Sequence, residues 1–504
     1  MDVVAIGISI MLMTVFAFES GSPFRDKPND ENEGLTYKAN VPDKILIPDL
    51  VTTNLIGDLN FKHALPTEET IDKVRYFMDL SKVTQSFTKG ITIASTYAIL
   101  EGIKDAGTTP GDLLLTTNFN DARFIALTPN RTTSYALGEL NLKVEPWIVE
   151  INPKIIGTVN DAFMSHVLDM NISGQEQNIK YLFVGPDYTG SIPKGYKVSK
   201  SKSYRNWIFL RLLEENNSST EAIQLLKEGC KMYPLSKANI PSFQKFIDAN
   251  GLYINTVHAN NEDFFTELNA MVQYESETSF DAELVRLFAS IGIKKDKAFT
   301  PNKRMQTIFK EGAAIGNAYV RANVINARDK EAFLYPEKRQ WFTGILKDLN
   351  NTENTKCLID DLPMYHFLTA GNTNKFANAV YAISATDVAS NHFDGGKTYT
   401  LTLPANIPTE NNWSVIVYDN HTRSLLETNQ LTAGIDSQKE NIKSNKDGSY
   451  TLWFGPKAPK GKLENWIQTI PNNGFYTILR INNPTDRWFN KSWIPGDLTL
   501  SNNK

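Results

Sequence analysis

The sequence predicts an α+β protein, mainly β, in which two β-sandwich regions flank a helical insert. Three observations lead there. Short apolar or alternating runs at roughly 8–12 residue spacing, the pattern of an all-β sandwich, fill residues 107–213 and return after 376. Between these regions apolar residues recur three and four apart, as one face of a helix requires. A chain of 504 residues, 41% hydrophobic and 21% charged, is long enough for several packed units and has ordinary globular usage.

The elements follow in order. Val3–Phe18 is uncharged and almost wholly apolar, and the polar, small-residue stretch 19–23 follows at once. The run is shorter than the roughly 20 residues that cross a bilayer as a helix. Residues 1–21 therefore read as a signal peptide or anchor, giving a secreted or periplasmic protein; a buried first helix is the third reading. No Cys follows the run, which excludes a lipoprotein anchor, and no other membrane segment is expected. Residues 22–69 open with Pro, Gly and acidic residues and read as an exposed linker. Residues 70–106 are a helical lead-in, with Val74, Phe77, Met78, Leu80, Val83, Phe87 and Ile91 on its apolar positions.

The β-domain at 107–213 rests on 113–117, 124–128, 134–137, 147–151, 180–186, 195–198 and 207–211. The helical insert at 214–375 rests on 219–233, 241–250, 263–274, 281–291 and 302–330, with Asp281 and Pro301 at helix starts. In 376–504, Lys397–Leu403, Trp413–Tyr418, Ser449–Phe454 and Phe475–Ile481 alternate strongly, and Asn445–Gly448 reads as a hairpin turn between 441–443 and the Ser449 strand. This predicts a second antiparallel sandwich, or jelly roll.

Lys plus Arg is 52 and Asp plus Glu is 56, a net −4, so no global field favours nucleic acid. Cys230 and Cys357 are the only cysteines and permit at most one bridge. The six histidines are scattered, with no HExxH or H-x-H spacing, and Asp161, His166 and Asp169 are the nearest thing to a local polar group. The nucleophile elbow, the P-loop and the dinucleotide fingerprint are all missing from the sequence.

The densest chemical cluster is Tyr418-Asp419-Asn420-His421-Thr422-Arg423-Ser424, at the end of an apolar strand. A carboxylate, an imidazole and a guanidinium so close together can form a catalytic site; the plainer reading is a turn capped by its own Asp and Asn. Arg480 shares a strand face with Tyr476 and Ile478, where a charge needs a partner: Asp419, Asp447, or a ligand carboxylate or phosphate. Asp447 itself is explained by its turn. Trp453, Trp466, Trp488 and Trp493, with Tyr450 and Tyr476, read either as a stacking surface for a sugar or as core and subunit-interface residues.

These residues also carry a family resemblance. Thr128–Tyr135, Glu145–Glu150, Gly157 and Asp161 resemble the first block of the bacterial domain of unknown function 1254, and Lys180–Pro186, Gly190, Pro193–Tyr196, Tyr204 and Arg211 resemble its second. Trp413-Ser414, Tyr418-Asp419, Thr422–Ser424, Asn445–Ser449, Phe454–Pro456, Asn465-Trp466, Arg480 and Ser492-Trp493 are similar to the domain of unknown function 1214. The resemblance spans about 75–497 and implies an N-terminal immunoglobulin-like sandwich, a helical middle domain and a C-terminal jelly-roll β-sandwich in a bacterial, often exported protein. It supplies no reaction. Thr132 stands where the family usually has Asp, and 173–179 replaces its glycine-rich loop.

The expected role is recognition of a small-molecule, saccharide or protein partner by the paired sandwiches, with Asn130, Thr133, Tyr135, Tyr418, Asn465 and Trp466 as candidate ligand-binding residues. One alternative is a hydrolase-type enzyme using Asp419, His421, Arg423 and Arg480, with a carboxylate-bound divalent metal as the cofactor such chemistry would use. The other is a structural homo-oligomer joined through its aromatics. No metal-ligand set or cofactor motif is identified.

Overall fold

The helix Glu68–Asp105 carries Glu at its start and Lys104 in its last turn, both matched to the helix dipole. One face, with Val83, Phe87, Ile91 and Ala94, is fully buried. It packs on Phe264, Phe265 and Leu268 of helix Phe264–Tyr274, Phe288 of helix Ala282–Ser290, Ile308 and Ala313 of helix Lys303–Ile325, and Phe367 of helix Asp361–Leu368. The computed structural model describes residues 41–116, 121–130, 134–171, 179–212, 219–240, 243–325, 332–343, 361–370, 379–430, 433–438 and 441–501. The apolar run Val3–Phe18, Thr132, Thr133, Cys357 and 173–178 lie outside them. Among the described residues no helix is long and apolar enough to cross a membrane.

Residues up to 71 form one compact unit and 72–504 another. In the first, Leu50–Thr53, Gly57–Lys62 and Leu65–Pro66 make an antiparallel three-stranded sheet. Within 41–69 this corrects the expectation of a linker; 22–40 lies outside the described residues. None of these strand residues is buried, so the apolar alternation that reveals strands in a sequence is weak here.

In the second unit, a six-stranded sheet runs in the order Phe246–Asp248, Leu113–Thr116, Ser134–Asn141, Arg205–Leu212, Ile155–Asn160, His166–Met170. A four-stranded sheet runs Lys197–Lys200, Lys180–Val184, Trp147–Glu150, Lys231–Pro234. They share a core: Leu113, Leu140, Ile208 and Leu210 from the first meet Val149, Tyr181, Phe183 and Met232 from the second. Two strands of these sheets, 231–234 and 246–248, together with 254–255, fall inside the range expected to be a helical insert. The correction has a plain cause: apolar runs of three or four residues fit a helix face or a strand equally well.

The C-terminal part pairs two four-stranded sheets, Ala379–Ser384, Phe475–Asn482, Trp413–Asp419, Gly434–Asp436 and Trp466–Gln468, Tyr450–Gly455, Tyr399–Leu403, Thr499–Leu500. Val415, Val417 and Leu479 of one face Leu401, Leu452 and Phe454 of the other in a single core. Asn445–Ser449 closes a turn, with Asn445 N donating to Ser449 O and Asp447 accepting from Ser449, but 441–443 forms no strand, contrary to the expected hairpin.

Helix Lys303–Ile325 approaches the long helix through Gly312 and Gly316, one turn apart. A Cβ on Gly312 would lie 2.5 Å from Val83 Cγ1, and one on Gly316 2.7 Å from Phe87 Cδ1. Both neighbours are buried and cannot give way. Gly316→Ala is therefore expected to destabilise by about 1–3 kcal/mol through overpacking, although alanine gains about 1 kcal/mol of helix propensity. Urea denaturation of the variant checks the sign, and a net gain would show that the helices can separate at no cost.

Candidate functional site

The six-stranded sheet and the Trp413–Asp419 sheet meet along the segment 124–130. Thr128 N donates to Arg423 O at 2.9 Å and Ala126 N to Ser424 Oγ at 3.1 Å. In return Arg480 Nη2 donates to Thr128 O at 3.1 Å and Tyr418 OH to Pro129 O at 2.9 Å. The two stretches singled out in the sequence, 128–135 and 418–424, thus touch each other. Around this seam lies a buried set of cations and rings.

Residues 418–425 form a tight hairpin. Asp419 N donates to Ser424 O and Arg423 N to Asp419 O, each at 2.9 Å. The Asp419 carboxylate accepts from the His421 and Thr422 amides and from Asn473 Nδ2, so it serves as the cap of its own turn. The His421 side chain is exposed, while its carbonyl accepts from Arg321 and Arg423. Arg423 takes the left-handed region, φ 61°, a conformation costly for a residue with a Cβ. That conformation belongs to the turn whose side chain points inward: the guanidinium is fully buried, 4.0 Å from the centroid of Phe367. Its Nη1 donates to Asn260 Oδ1 and His421 O, whereas Nε and Nη2 have no acceptor. Burial, and then the neighbouring Arg321, push its pKa down to about 9.

Arg480, 4% exposed, is the second buried guanidinium. Its Cζ lies 5.6 Å from the ring centroids of both Tyr381 and Tyr418. Nη2 is bonded to Thr128 O, but Nε and Nη1 have no acceptor among the described residues. Burial disfavours its charge, yet Tyr418, Tyr381 and Tyr135 together leave its pKa above the ordinary value. Tyr381 also feels the charge of Arg211, whose Nε is buried and unpaired and whose strand position is opposite Tyr135. Tyr418 stacks on Tyr476 with centroids 5.3 Å apart, and Tyr476 OH donates to Arg423 O, which links the two arginines. Among the segments that adjoin these strands in the sequence, 117–120, 131–133 and 371–378 contain no Asp or Glu, whereas 213–218, directly after Leu212, contains Glu214 and Glu215.

The expected catalytic quartet is therefore divided. Arg423 and Arg480 belong to the buried set, Asp419 caps the turn and His421 points away. Arg480 pairs with neither Asp419 nor Asp447. Of the ligand-binding candidates, Tyr135 and Tyr418 line the seam and Asn130 is half-buried at its end, while Thr133 lies outside the described residues. Asn465 bonds Lys443 N, Lys443 O and Thr451 O, and Trp466 Nε1 bonds Gly455 O; both hold the other sheet together. Trp488 and Trp493 are core residues. His166 pairs with Asp169 at 3.1 Å, while Asp161 caps a neighbouring turn. Cys230 is a buried free thiol. Among the described residues no group of three His, Cys, Asp or Glu is placed to hold a metal.

Sequence reasoning missed Arg211, Arg321, His258, Tyr381 and Phe367. Arg211 carried a usable signal, the same as Arg480: a charge in an otherwise apolar strand. Tyr381 lies in a strand where a tyrosine is unremarkable, and the others sit singly among helix and loop residues; none gave a signal. Chemically the set offers hydrogen-bond donors and aromatic walls that, among the described residues, no carboxylate pairs with, which suits the binding of an anion.

The class this defines is a two-sandwich α+β protein with a cationic, tyrosine-lined seam. Residues 112–234 match the family model "Protein of unknown function (DUF1254)" and residues 378–486 match "Protein of unknown function (DUF1214)". The chain carries these two domains, in that order. No curated protein matches it. The fold is similar to the crystal structure of the VPA0106 protein from Vibrio parahaemolyticus, with a TM-score of 0.50 and 16% identity over 84% of this chain and 100% of that one. An uncharacterized protein from Burkholderia cenocepacia gives a TM-score of 0.39 and 8% identity over 85% of this chain and 96% of that one.

His258, 2% exposed, has its pKa pushed down to about 3 by burial and by Arg423. It stays neutral in the folded protein while the unfolded chain takes up a proton below about pH 6.5. Its contribution to stability is therefore lost as pH falls from there toward 3. Relative to His258→Phe, the wild type should lose ~1.4 kcal/mol for each pH unit between 6 and 4. Chemical denaturation in gluconate buffer at three pH values checks this; a constant difference would mean that His258 is already protonated in the fold.

Proposed function

We propose that this protein is an exported bacterial recognition protein that binds an organic anion at the seam between an immunoglobulin-like N-terminal domain and a jelly-roll C-terminal domain. One observation carries the reading: Arg480 is buried, and among the described residues two of its nitrogens lack acceptors. Removing a charge from water costs several kcal/mol unless a counter-charge repays it. A ligand carboxylate between Arg480 and Arg211, with its body against Tyr135, Tyr381 and Tyr418, supplies that counter-charge through charge-assisted hydrogen bonds. The shared cores of each sheet pair support the domain assignments, and the Val3–Phe18 run supports export.

The reading makes an unusual demand on stability. Arg480→Met, which removes an unpaired buried charge, should stabilise the ligand-free protein by about 1–4 kcal/mol while abolishing any thermal shift produced by organic carboxylates. Differential scanning calorimetry against a panel of aromatic and aliphatic acids checks both parts. A variant that keeps the thermal shift with these acids would show that Arg480 serves only as a strut for Thr128, and the proposal would fall. For export, N-terminal sequencing of protein recovered outside the cytoplasm should show a new terminus close to residue 21; an intact Met1 would point to an uncleaved anchor.

A further inference from the structure

The Arg423 and His258 side chains define a second place, apart from the Arg480, Arg211 and tyrosine side chains assigned to the organic anion above. His258 Nδ1 lies 2.8 Å from Ala259 O, which assigns the ring proton to Nδ1 and leaves Nε2 as a buried lone pair without a partner. Its ring meets Phe264 at 5.5 Å and Phe367 at 5.9 Å, and the Arg423 guanidinium lies against the same Phe367. Nε and Nη2 of Arg423, both without acceptors, form the side edge of the guanidinium, where two N–H bonds run parallel. Arg423, Phe264 and Phe367 are 0% exposed and His258 is 2% exposed. Such donors, enclosed by aromatic rings and without solvent contact, suit a one-atom anion better than a molecule.

We propose that Arg423 and His258 hold a halide ion, chloride in a cell, between the Phe264 and Phe367 rings. The ion sits on the Nε–Nη2 edge of Arg423. A lone pair would repel it, so His258 takes up a proton on Nε2 as the ion arrives and donates it; one anion and one proton enter together, with no net change in charge. Their entry relieves the uncompensated charge of Arg423 beside Arg321, whose own donors are occupied by Asn317 Oδ1 and the Asn420 and His421 carbonyls. The other titratable groups around His258 are Glu267, which accepts from the Ala259 amide, and His366, next to Phe367 on its helix.

Bromide is the probe. A crystal grown in bromide should show an anomalous peak within hydrogen-bond distance of Arg423 Nη2 and His258 Nε2; no peak there overturns the proposal. In solution, chloride replacing gluconate at constant ionic strength should raise Tm. Its apparent affinity should rise about tenfold for each unit of pH lowered between 7.5 and 6.5, because one proton accompanies each ion. His258→Phe keeps the ring packing and should lose the pH dependence, whereas Glu267→Gln should keep it. A chloride effect equal in wild type, His258→Phe and Arg423→Lys would mean general screening and would sink the site. Because Arg480 takes no part, loss of organic-acid binding in Arg480→Met should leave the halide response intact.

Discussion

The structure depends on a set of hydrogen bonds in which side chains from one domain satisfy backbone carbonyls of the other. Arg480 meets Thr128 O, Tyr418 meets Pro129 O, and Thr128 N returns a bond to Arg423 O. A loop buried between two sheets would otherwise leave its peptide groups without partners, at a cost of about 1–3 kcal/mol each. The polar residues at 418–424 and 480 thus have a structural duty first: they let segment 124–130 run through the interior. The helical layer is fixed to the same place by Arg321, which reaches the hairpin carbonyls from a helix held close by Gly312 and Gly316.

That duty does not use up the arginines. Each keeps donors that no atom of the described residues accepts, and Arg423 does so from a left-handed backbone conformation. Strain and unpaired charge persist in a fold only where the surroundings over-determine them, and they gather at sites of function. An apolar residue at 423 or 480 would pack with less penalty. The choice of guanidinium in both places is what the proposal of anion binding rests on.

Much of this could be read in the sequence, and the limits have physical causes. Alternation revealed the strands at 399–403, 413–419 and 475–482 because each has a buried face and long side chains on it. It failed for 50–66, where no residue is buried, and for 231–234 and 246–248, which are too short to have a period. The turn reading of Asp419 was available from Asx chemistry, and Arg480 stood out as a charge within an apolar strand. What the sequence could not show was which residues meet. Tyr135, Tyr381, Arg211 and Arg480 come from four strands, and His258 and Phe367 from a loop and a helix separated by more than a hundred positions; only the packed layers bring them together.

The seam's hydrogen bonds join residues about three hundred positions apart, with Ala126 to Ser424 spanning 298 and Arg480 to Thr128 spanning 352. Contacts of that separation carry the loop-closure entropy of nearly the whole chain and form after local ones. The individual sheets can gain their cores from neighbouring hairpins, while the buried arginines find their carbonyls only when both ends of the body have folded and docked. A chain still emerging from synthesis, or one cut between its domains, would hold Tyr418, Arg423 and Arg480 in water with ordinary acidity and no special affinity. The proposed binding place would therefore be a property of the finished molecule alone, and its occupancy would report that folding is complete.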